Sequence, residues 1–510
     1  MVTFVVRRLI ATILVLLAAS FVVYVLTSNA GDPLNDLRQS SAPNKETLIQ
    51  HRIETLHLND PVVVRYVYWL GGASQCLIAQ CDLGQSFVRG GQEVTSIVAA
   101  AASSTIQLIS GSVIIALILG IAVGMVSAIR QYSGFDYAIT FTSFVLYSLP
   151  IFFVAVLLKE YGAIRFNEFL ENPDVSIPAL IVVAAVTAII WASIVGGSWR
   201  RRLVIGGAMG VGVAALLGIL AAVGWFRAPA FGLAGVAFVG VAIAVAVTAL
   251  GLGLNNRRGL IASLAVVGAW VGLYTPLQYL FFGVPEGWTL IVLGLASLVI
   301  GILAGIAFGR DDRRQLARSA AITSFLVFLV VVVDRVLLVF PDYRDRINGS
   351  IIATIGSSTP GLQGDMWFQM LDGATHLILP TIALAVVSFA GYTRYARASL
   401  LEVMNQDYVR TARSKGLNER TVIMRHAFRN ALIPIATIVA FDVGALIGGA
   451  IITERIFGWK GMGSVFSEGL DHIDVNLVMG FFLLTGVVAV VFNFLADLAY
   501  AALDPRIRVN

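Results

Sequence analysis

DYVRTARSKGLNERTVIMRHAFRNALIP, residues 407–434, is the longest basic, water-compatible run in a chain that is 58% hydrophobic. It lies between two apolar segments, 376–397 and 432–455, that read as membrane spans. Asp407 has the chemistry of an N-cap, because its carboxylate can accept from the free N–H groups of a first helical turn. Tyr408 to Lys415 then reads as a short helix, ended by Gly416 in the left-handed conformation. Asn418 can cap a second helix from Glu419 to about Asn430, and Pro434 suits the first turn of the next span. Ala412 and Gly416 lie one helical turn apart and carry almost no side chain, so another protein could approach the backbone there. The arginines 410, 413, 420, 425 and 429 place the loop on the cytoplasmic side. By physics alone it is an ordinary basic loop of the kind that orients membrane proteins.

The residues narrow that reading. The stretch resembles the cytoplasmic "EAA" loop of ABC importer permeases, in particular the B-type permease of the oligopeptide/dipeptide/nickel family. Arg410-Thr411-Ala412 stands where the wider superfamily has Glu-Ala-Ala, and Gly416 stands as the loop glycine. The missing glutamate departs from the general pattern and looks like the peptide-transporter subgroup. The resemblance implies that residues 403–430 form a coupling loop. Its Asp407, Arg410, Thr411, Ala412, Lys415 and Gly416 would dock into a cleft on an ATPase subunit, with Ala412 and Gly416 at the closest approach. It extends over residues 1–165 and 350–508, and the middle of the chain has no counterpart in it.

Outward from the loop, the chain reads as an all-α, polytopic membrane protein. It has 510 residues, only 13% of them charged. Apolar runs of about 20 residues recur from end to end, each able to cross roughly 30 Å of hydrocarbon. The net charge of +5 sits mainly in short loops, where orientation requires it, and needs no nucleic acid to explain it. Arg7 and Arg8 precede an apolar run from Leu9 to Leu26, with Ser28-Asn29-Ala30 after it. That pattern can be a signal peptide. The run is long enough to span, and it resembles the family's first helix followed by Gly31-Asp32-Pro33, so an uncleaved span is expected.

Residues 29–103 form an outer segment with short helices at 51–58 and 61–70. Its Asp82-Leu83-Gly84-Gln85-Ser86 resembles a family motif in the loop that receives a substrate-binding protein; a folded cap with no partner is the plain alternative. Cys76 and Cys81, the only cysteines, lie here, facing a compartment where disulfides persist. A bond between them and two free thiols both stand open. The second span runs from about Thr105 to Ile129, and the third from Tyr137 to Leu158, with Pro150 permitting a kink.

A region of about 180 residues, 170–350, is then inserted relative to the family. It reads as six spans: 177–196, 203–225, 231–254, 260–282, 289–308 and 319–340. Arginines 200–202, 257–258 and 310, 313 and 314 mark every second loop, the positive-inside alternation. An even number of spans returns the chain to the outside, so the rest of the fold is not inverted. Adjacent Asp334 and Arg335 are expected to reach the interface or pair with neighbours, and the inserted spans are otherwise nearly bare of charge.

Residues 351–510 supply three further spans. Glu454 to Gly463 resembles the family's glycine-rich re-entry segment, and Leu503 to Arg508 its ending. The expectation is the type I importer permease fold: six core spans plus six inserted ones, twelve in all, with both termini in the cytoplasm. Asp442, about ten residues into the fifth core span, sits roughly 15 Å deep at 1.5 Å per residue, near the midplane. An ionised carboxylate there is costly unless paired or hydrated. It is either a polar position in a substrate pathway or a hydrogen bond to a neighbouring helix. Asn493 and Asp497 in the last span read as structural.

No Gly-x4-Gly-Lys-Ser/Thr loop and no His-Glu-x2-His helix occurs, so no ATP hydrolysis, metal or cofactor is expected in this chain, and no catalytic residue stands out. What the resemblance implies is a permease in the cytoplasmic membrane of a prokaryote, importing short peptides. Its implied partners are a second permease, one or two ATPases that hold ATP and Mg²⁺, and an extracytoplasmic binding protein. A permease for nickel or another small solute is the alternative within the family. A self-sufficient secondary transporter fits the span count but lacks a visible inverted repeat. A membrane enzyme or receptor with a permease-like end would need clustered polar residues in the inserted spans.

Overall fold

A computed structural model describes residues 2–195, 197–283, 287–310 and 312–503, without the side chains of 2–9, 440, 445–449 and 496–503. Among the described residues, eleven helices are long and apolar enough to cross a membrane. A further pair, Gly134–Ser148 and Ile151–Glu171, passes the same test together and is bent by 101°. The bend falls at Leu149-Pro150, where proline removes a backbone donor. Between residues 170 and 350 lie six long helices, Ile177–Ile194, Trp199–Ala222, Gly232–Gly251, Arg257–Gly283, Gly287–Phe308 and Arg313–Leu338, at the places of the six expected spans.

The chain divides into two compact units. One comprises Met1–Glu160, Thr354–Ser357 and Leu377–Asn510; the other comprises Tyr161–Ala353 and Ser358–His376. In the first, helix Val94–Ile129 packs closely on helix Met366–Met404. A Cβ at Gly124 would stand 2.6 Å from the Thr393 carbonyl and 2.8 Å from the Ala396 methyl, so only glycine allows this approach. Leu108, Ile109, Leu384 and Trp459 fill one core and Tyr66, Trp69, Val94 and Met479 another. Helix Val94–Ile129 begins eleven residues before the expected start of the second span, so the end of the outer segment is already helical.

The outer segment holds helices Lys45–Thr55 and Val62–Ser74 and a two-stranded hairpin, Gln85–Ser86 paired with Gln92–Glu93. Its Asp82–Ser86 motif has a physical role. The Gly84 N–H donates to Asp82 Oδ1 (2.9 Å), Gly84 takes φ +80°, and the Ser86 hydroxyl donates to buried Asp474 Oδ2 (2.7 Å) at the start of helix Val475–Leu503. Cys76 and Cys81 are disulfide-bonded, with Cα atoms 3.9 Å apart.

The second unit is built on aromatic and small residues. Trp270, Phe328, Tyr343 and Trp367 sit in its core. Gly301 and Gly305 bring helix Gly287–Phe308 against the backbone of Ala321 and Ala317. The inserted spans hold more organised polar groups than their sparse charge suggests. Asp334 is fully buried and accepts from the Phe231 N–H (2.6 Å), the Gly232 N–H (3.1 Å) and the Tyr274 hydroxyl (2.6 Å). Trp270 donates to Ser324 Oγ (2.9 Å), which donates to the Ser297 carbonyl (2.6 Å). Each is a closed interhelical bond, the pairing a buried polar group needs in apolar surroundings.

Candidate coupling site

The short helix of the basic loop spans Asp407–Ser414. Gln406, not Asp407, is the residue before it, and no side chain caps it; Asp407 is the first helical residue and lies 3.8 Å from Arg410 Nη1 at the surface. Lys415 follows with its N–H on the Thr411 carbonyl (3.1 Å), and Gly416 closes the helix at φ +74° with its N–H on the Arg413 carbonyl (2.9 Å). Arg413 spans the turn Gly416-Leu417-Asn418 to Glu419, at 2.7 Å from Nη2 to Oε1. That hydrogen bond pushes the Arg413 pKa up. Asn418 caps the next helix as expected, accepting from the Thr421 N–H (2.8 Å).

That next helix does not stop before the span. Glu419–Thr421, a π turn at Val422–Ala427 and helix Phe428–Gly449 follow without a break. Pro434 lies inside this helix, not at its first turn.

Val409 and Ala412, three apart, are the buried face of the short helix. They pack on Ala128, Leu400, Val422, Ala427 and Ala431. Ala412 is 5% exposed and seats the helix on its own chain. Small size at 412 serves close packing inward. Gly416 differs, since nothing lies within 4 Å of where its Cβ would be. The outward surface comprises Asp407, Tyr408, Arg410, Thr411, Arg413, Lys415 and Gly416, together with Leu417 and Met424. The Asn430 amide donates to the Tyr408 hydroxyl (2.8 Å), closing the helical hairpin.

On the same helix as Leu400 lies one member of an ion pair that the sequence reading missed, Arg397. Asp136 is almost fully buried at the start of helix Gly134–Ser148. Arg397 holds it with two hydrogen bonds, Nε to Oδ1 (2.6 Å) and Nη2 to Oδ2 (2.9 Å). Ser127 Oγ (2.5 Å) and the Tyr132 N–H (3.0 Å) donate to the same carboxylate. Three helices thus meet at one carboxylate. The sequence signal was slight: Ser133 and Asp136 at capping-box spacing, the Ser133 hydroxyl accepting from the Asp136 N–H (3.2 Å).

Glu454 was also missed as a structural centre. Buried, it accepts from Thr105 Oγ1 (2.7 Å), the Gly463 N–H (2.7 Å) and the Ser464 N–H (3.2 Å). A Cβ at Gly461 or Gly463 would collide with its carboxylate, which accounts for the glycines of this segment. Asp442 is half-buried on helix Phe428–Gly449. The buried Tyr392 hydroxyl stands beside the Asp442 carboxylate. Asp497 lies outside the described side chains, and residues 504–508 lie outside the described residues.

Two family models match the chain. Residues 297–509 match the binding-protein-dependent transport system inner membrane component, and residues 1–109 match the N-terminal part of that membrane component. The first match begins within the inserted region, further back than the resemblance at residue 350. Among relatives, the oligopeptide transport system permease protein OppB of Mycobacterium bovis is 37% identical over 219 residues, covering 42% of this chain and 67% of the relative. The oligopeptide permease AppB of Bacillus subtilis is 26% identical over 512 residues, spanning both chains in full. The dipeptide permease DppB of Escherichia coli K12 is 39% identical over 171 residues, 34% of this chain and 49% of the relative.

The polytopic helical fold and these matches together give a membrane permease. The chain belongs to the family of inner-membrane permease components of binding-protein-dependent ABC importers, in its B-type branch. It is therefore a multi-pass protein of the cytoplasmic membrane that works with an ATPase and a substrate-binding protein.

Proposed function

We propose that this chain is one of two permeases through which an ABC importer moves short peptides by alternating access. One or two ATPase subunits, holding ATP and Mg²⁺, close on nucleotide binding and push on the hairpin 403–430. An extracytoplasmic binding protein delivers the peptide to the outer segment. ATP drives the cycle only through its different affinity for the two states, which the hairpin passes to the spans. The observation that carries this reading is the seating of helix Asp407–Ser414. Its apolar face is locked on the chain's own spans while Arg410, Thr411, Lys415, Gly416 and Leu417 face outward. An element fixed on one side and open on the other can transmit a push.

Relatives named for oligopeptides and dipeptides support peptide over nickel as substrate. Asp442 is assigned to the pathway, with Tyr392 holding it when the pathway is closed. The Cys76–Cys81 bond is assigned to bracing the outer segment. The decisive experiment deletes the gene, measures uptake of a labelled dipeptide and of nickel, and identifies the subunits that co-purify with the tagged chain. Loss of dipeptide uptake, with an ATPase and a second permease in the complex, is expected. An intact dipeptide uptake, or a chain that purifies alone and transports alone, overturns the reading.

A further inference from the structure

Helix Val62–Ser74 of the outer segment is packed on the first span, and hydrogen bonds set the level of that contact. The Tyr66 hydroxyl donates to the Leu17 carbonyl (3.3 Å) and lies 2.9 Å from Ser20 Oγ. The Tyr66 ring meets Phe21 and Tyr24 edge-on, with centroids 5.2 and 5.6 Å away. The first helix ends at Ser28 and carries no charge after Arg8, so its apolar run reaches that end. Leu17 and Ser20 lie about 16 and 12 Å below Ser28, at about 1.5 Å per residue along the helix. Half the hydrocarbon thickness is about 15 Å. Tyr66 therefore makes its hydrogen bond inside the leaflet at the Ser28 end, which is the outer one by the position of Arg7 and Arg8.

The helix has the composition that this level requires. Charge runs through residues 45–60, with Lys45, Glu46, Arg52, Glu54 and Asp60, and then stops: from Pro61 to Cys81, Arg65 is the only charged residue. One face of the helix, with Tyr66, Trp69 and Ala73, is buried on the protein. The opposite face is as apolar but uncovered, with Val63, Val67 and Tyr68 each more than half exposed. A helix that is apolar all round belongs in an interior or a bilayer, not in water. Val63 and Val67 flank Tyr66, and Phe21, Val22 and Leu26 are exposed on the span it touches, so the uncovered face continues the lipid-facing surface of the span. The turn after the helix extends the pattern. Leu77 is 91% exposed and Ile78 67%, while the Ala79 and Gln80 N–H groups donate to the Cys76 and Gln75 carbonyls (3.3 and 3.1 Å). Backbone whose donors are met within the turn can lie against lipid.

We infer that helix Val62–Ser74 and the disulfide-closed turn Cys76–Cys81 lie in the outer leaflet of the bilayer, with Val63, Val67, Tyr68, Leu77 and Ile78 covered by lipid. Apolar side chains of this kind hold an interfacial helix about 5–10 Å into the boundary between headgroups and acyl chains. The outer segment is thereby anchored to the membrane beside the first span, while its charged helix Lys45–Thr55 stays in water. A water-soluble partner would have to enter the leaflet to reach the side chains that flank Tyr66, which favours lipid over protein as the cover. The inference rests on the first helix being a span and not on the peptide reading.

The full chain is purified with the subunits bound to it and placed in phosphatidylcholine nanodiscs, carrying a fluorescent amino acid in turn in place of Val22, Leu48, Val67 and Leu77. All four side chains are exposed, so the probe displaces no packing. Phosphatidylcholine with brominated acyl chains should quench the probes at 67 and 77 as strongly as the one at 22 on the span, and several-fold more than the one at 48 on the charged helix. Aqueous iodide should show the reverse order. Iodide access at 67 or 77 equal to that at 48 overturns the inference. A photo-crosslinking amino acid at 67 and at 77 in intact cells should give no adduct to another protein. An adduct at either position assigns this face to a protein partner and overturns the lipid contact.

Discussion

Arg397 and Asp136, 261 residues apart in the chain, form a two-point ion pair at 2.6 and 2.9 Å. The carboxylate is 3% exposed and the guanidinium 27%, so the pair is shielded on one side only. It joins the start of helix Gly134–Ser148 to helix Met366–Met404, and Ser127 adds the end of Val94–Ile129. Leu400, three residues beyond Arg397, touches the cluster that seats Val409 and Ala412. The hairpin is thus packed on a helix that the ion pair ties to two others.

Asp136→Asn leaves Arg397 without its counter-charge. Breaking a buried pair costs about 3–5 kcal/mol, and the partial exposure of Arg397 lowers this to roughly 2–3 kcal/mol. The purified chain in detergent should melt several degrees lower. The double change Asp136→Leu with Arg397→Met removes both charges and should recover most of the loss. A double variant no more stable than Asp136→Asn would show that the pair is not a closed unit.

The spans were legible because their signal is local: an apolar run of sufficient length, with arginines in alternate loops, identifies a helix without knowing its neighbours. Gly416 was legible for the same reason, since a left-handed helix end is a property of one residue. Ala412 was legible as a position of close approach, but a small residue does not say which side approaches. The answer lay in Ala128, Val422 and Ala427, which only the fold brings to it. The Asp136–Arg397 and Glu454–Thr105 pairs were beyond reach because their members lie 261 and 349 residues apart. Asp334 reads from the sequence as either reaching the interface or pairing with neighbours; its partners, the Phe231 and Gly232 N–H groups and Tyr274, lie far along the chain.

The Cys76–Cys81 bond closes a loop of sequence separation 5. A loop this short constrains the unfolded chain by roughly 2 kcal/mol. That is enough to hold the end of helix Val62–Ser74, and Trp69 with it, without governing the membrane fold. Cys76→Ser with Cys81→Ser should leave the chain in the membrane while protease added outside cuts between residues 70 and 92 faster. Dithiothreitol on the wild type should do the same. If neither treatment changes the cleavage rate, the bond does not brace this segment.

Burial pushes the Asp474 carboxyl up, and the Ser86 hydroxyl offsets part of that shift. The folded chain thus keeps a proton that the unfolded chain has already released. Its contribution to stability is fully present below the unfolded-state pKa of about 3.9, and is lost as pH rises through the raised folded value. Asp474→Asn cannot titrate and its amide oxygen can still accept from Ser86. Wild type should therefore lose more stability than Asp474→Asn as pH rises from about 4, measured by thermal melts of the full chain. Equal slopes for the two would sink this account of Asp474.

The outward face of the hairpin is the part that a partner can touch, and its apolar members are Leu417, 42% exposed, and Met424, 51% exposed. Neither belongs to the cluster around Ala412. Leu417→Asp and Met424→Asp place charge where an ATPase cleft would have to desolvate it, which costs binding and leaves the permease fold alone. Both variants should reach the membrane at normal abundance, and the ATPase should no longer co-purify. Ala412→Trp behaves differently. It overpacks the seat formed by Ala128, Leu400 and Val422, at about 1–3 kcal/mol, so it should lower the melting temperature of the isolated chain as well as uptake. Gly416→Val has room for its side chain but not for its backbone, since φ +74° is strained for a β-branched residue. It should loosen the turn and uncouple ATP hydrolysis from substrate with the ATPase still bound. A cysteine at 417 should crosslink to the ATPase, and one at 412 should not. A crosslink from 412 alone, with full uptake by Leu417→Asp, would reverse the orientation of the helix and leave the coupling assignment without its geometry.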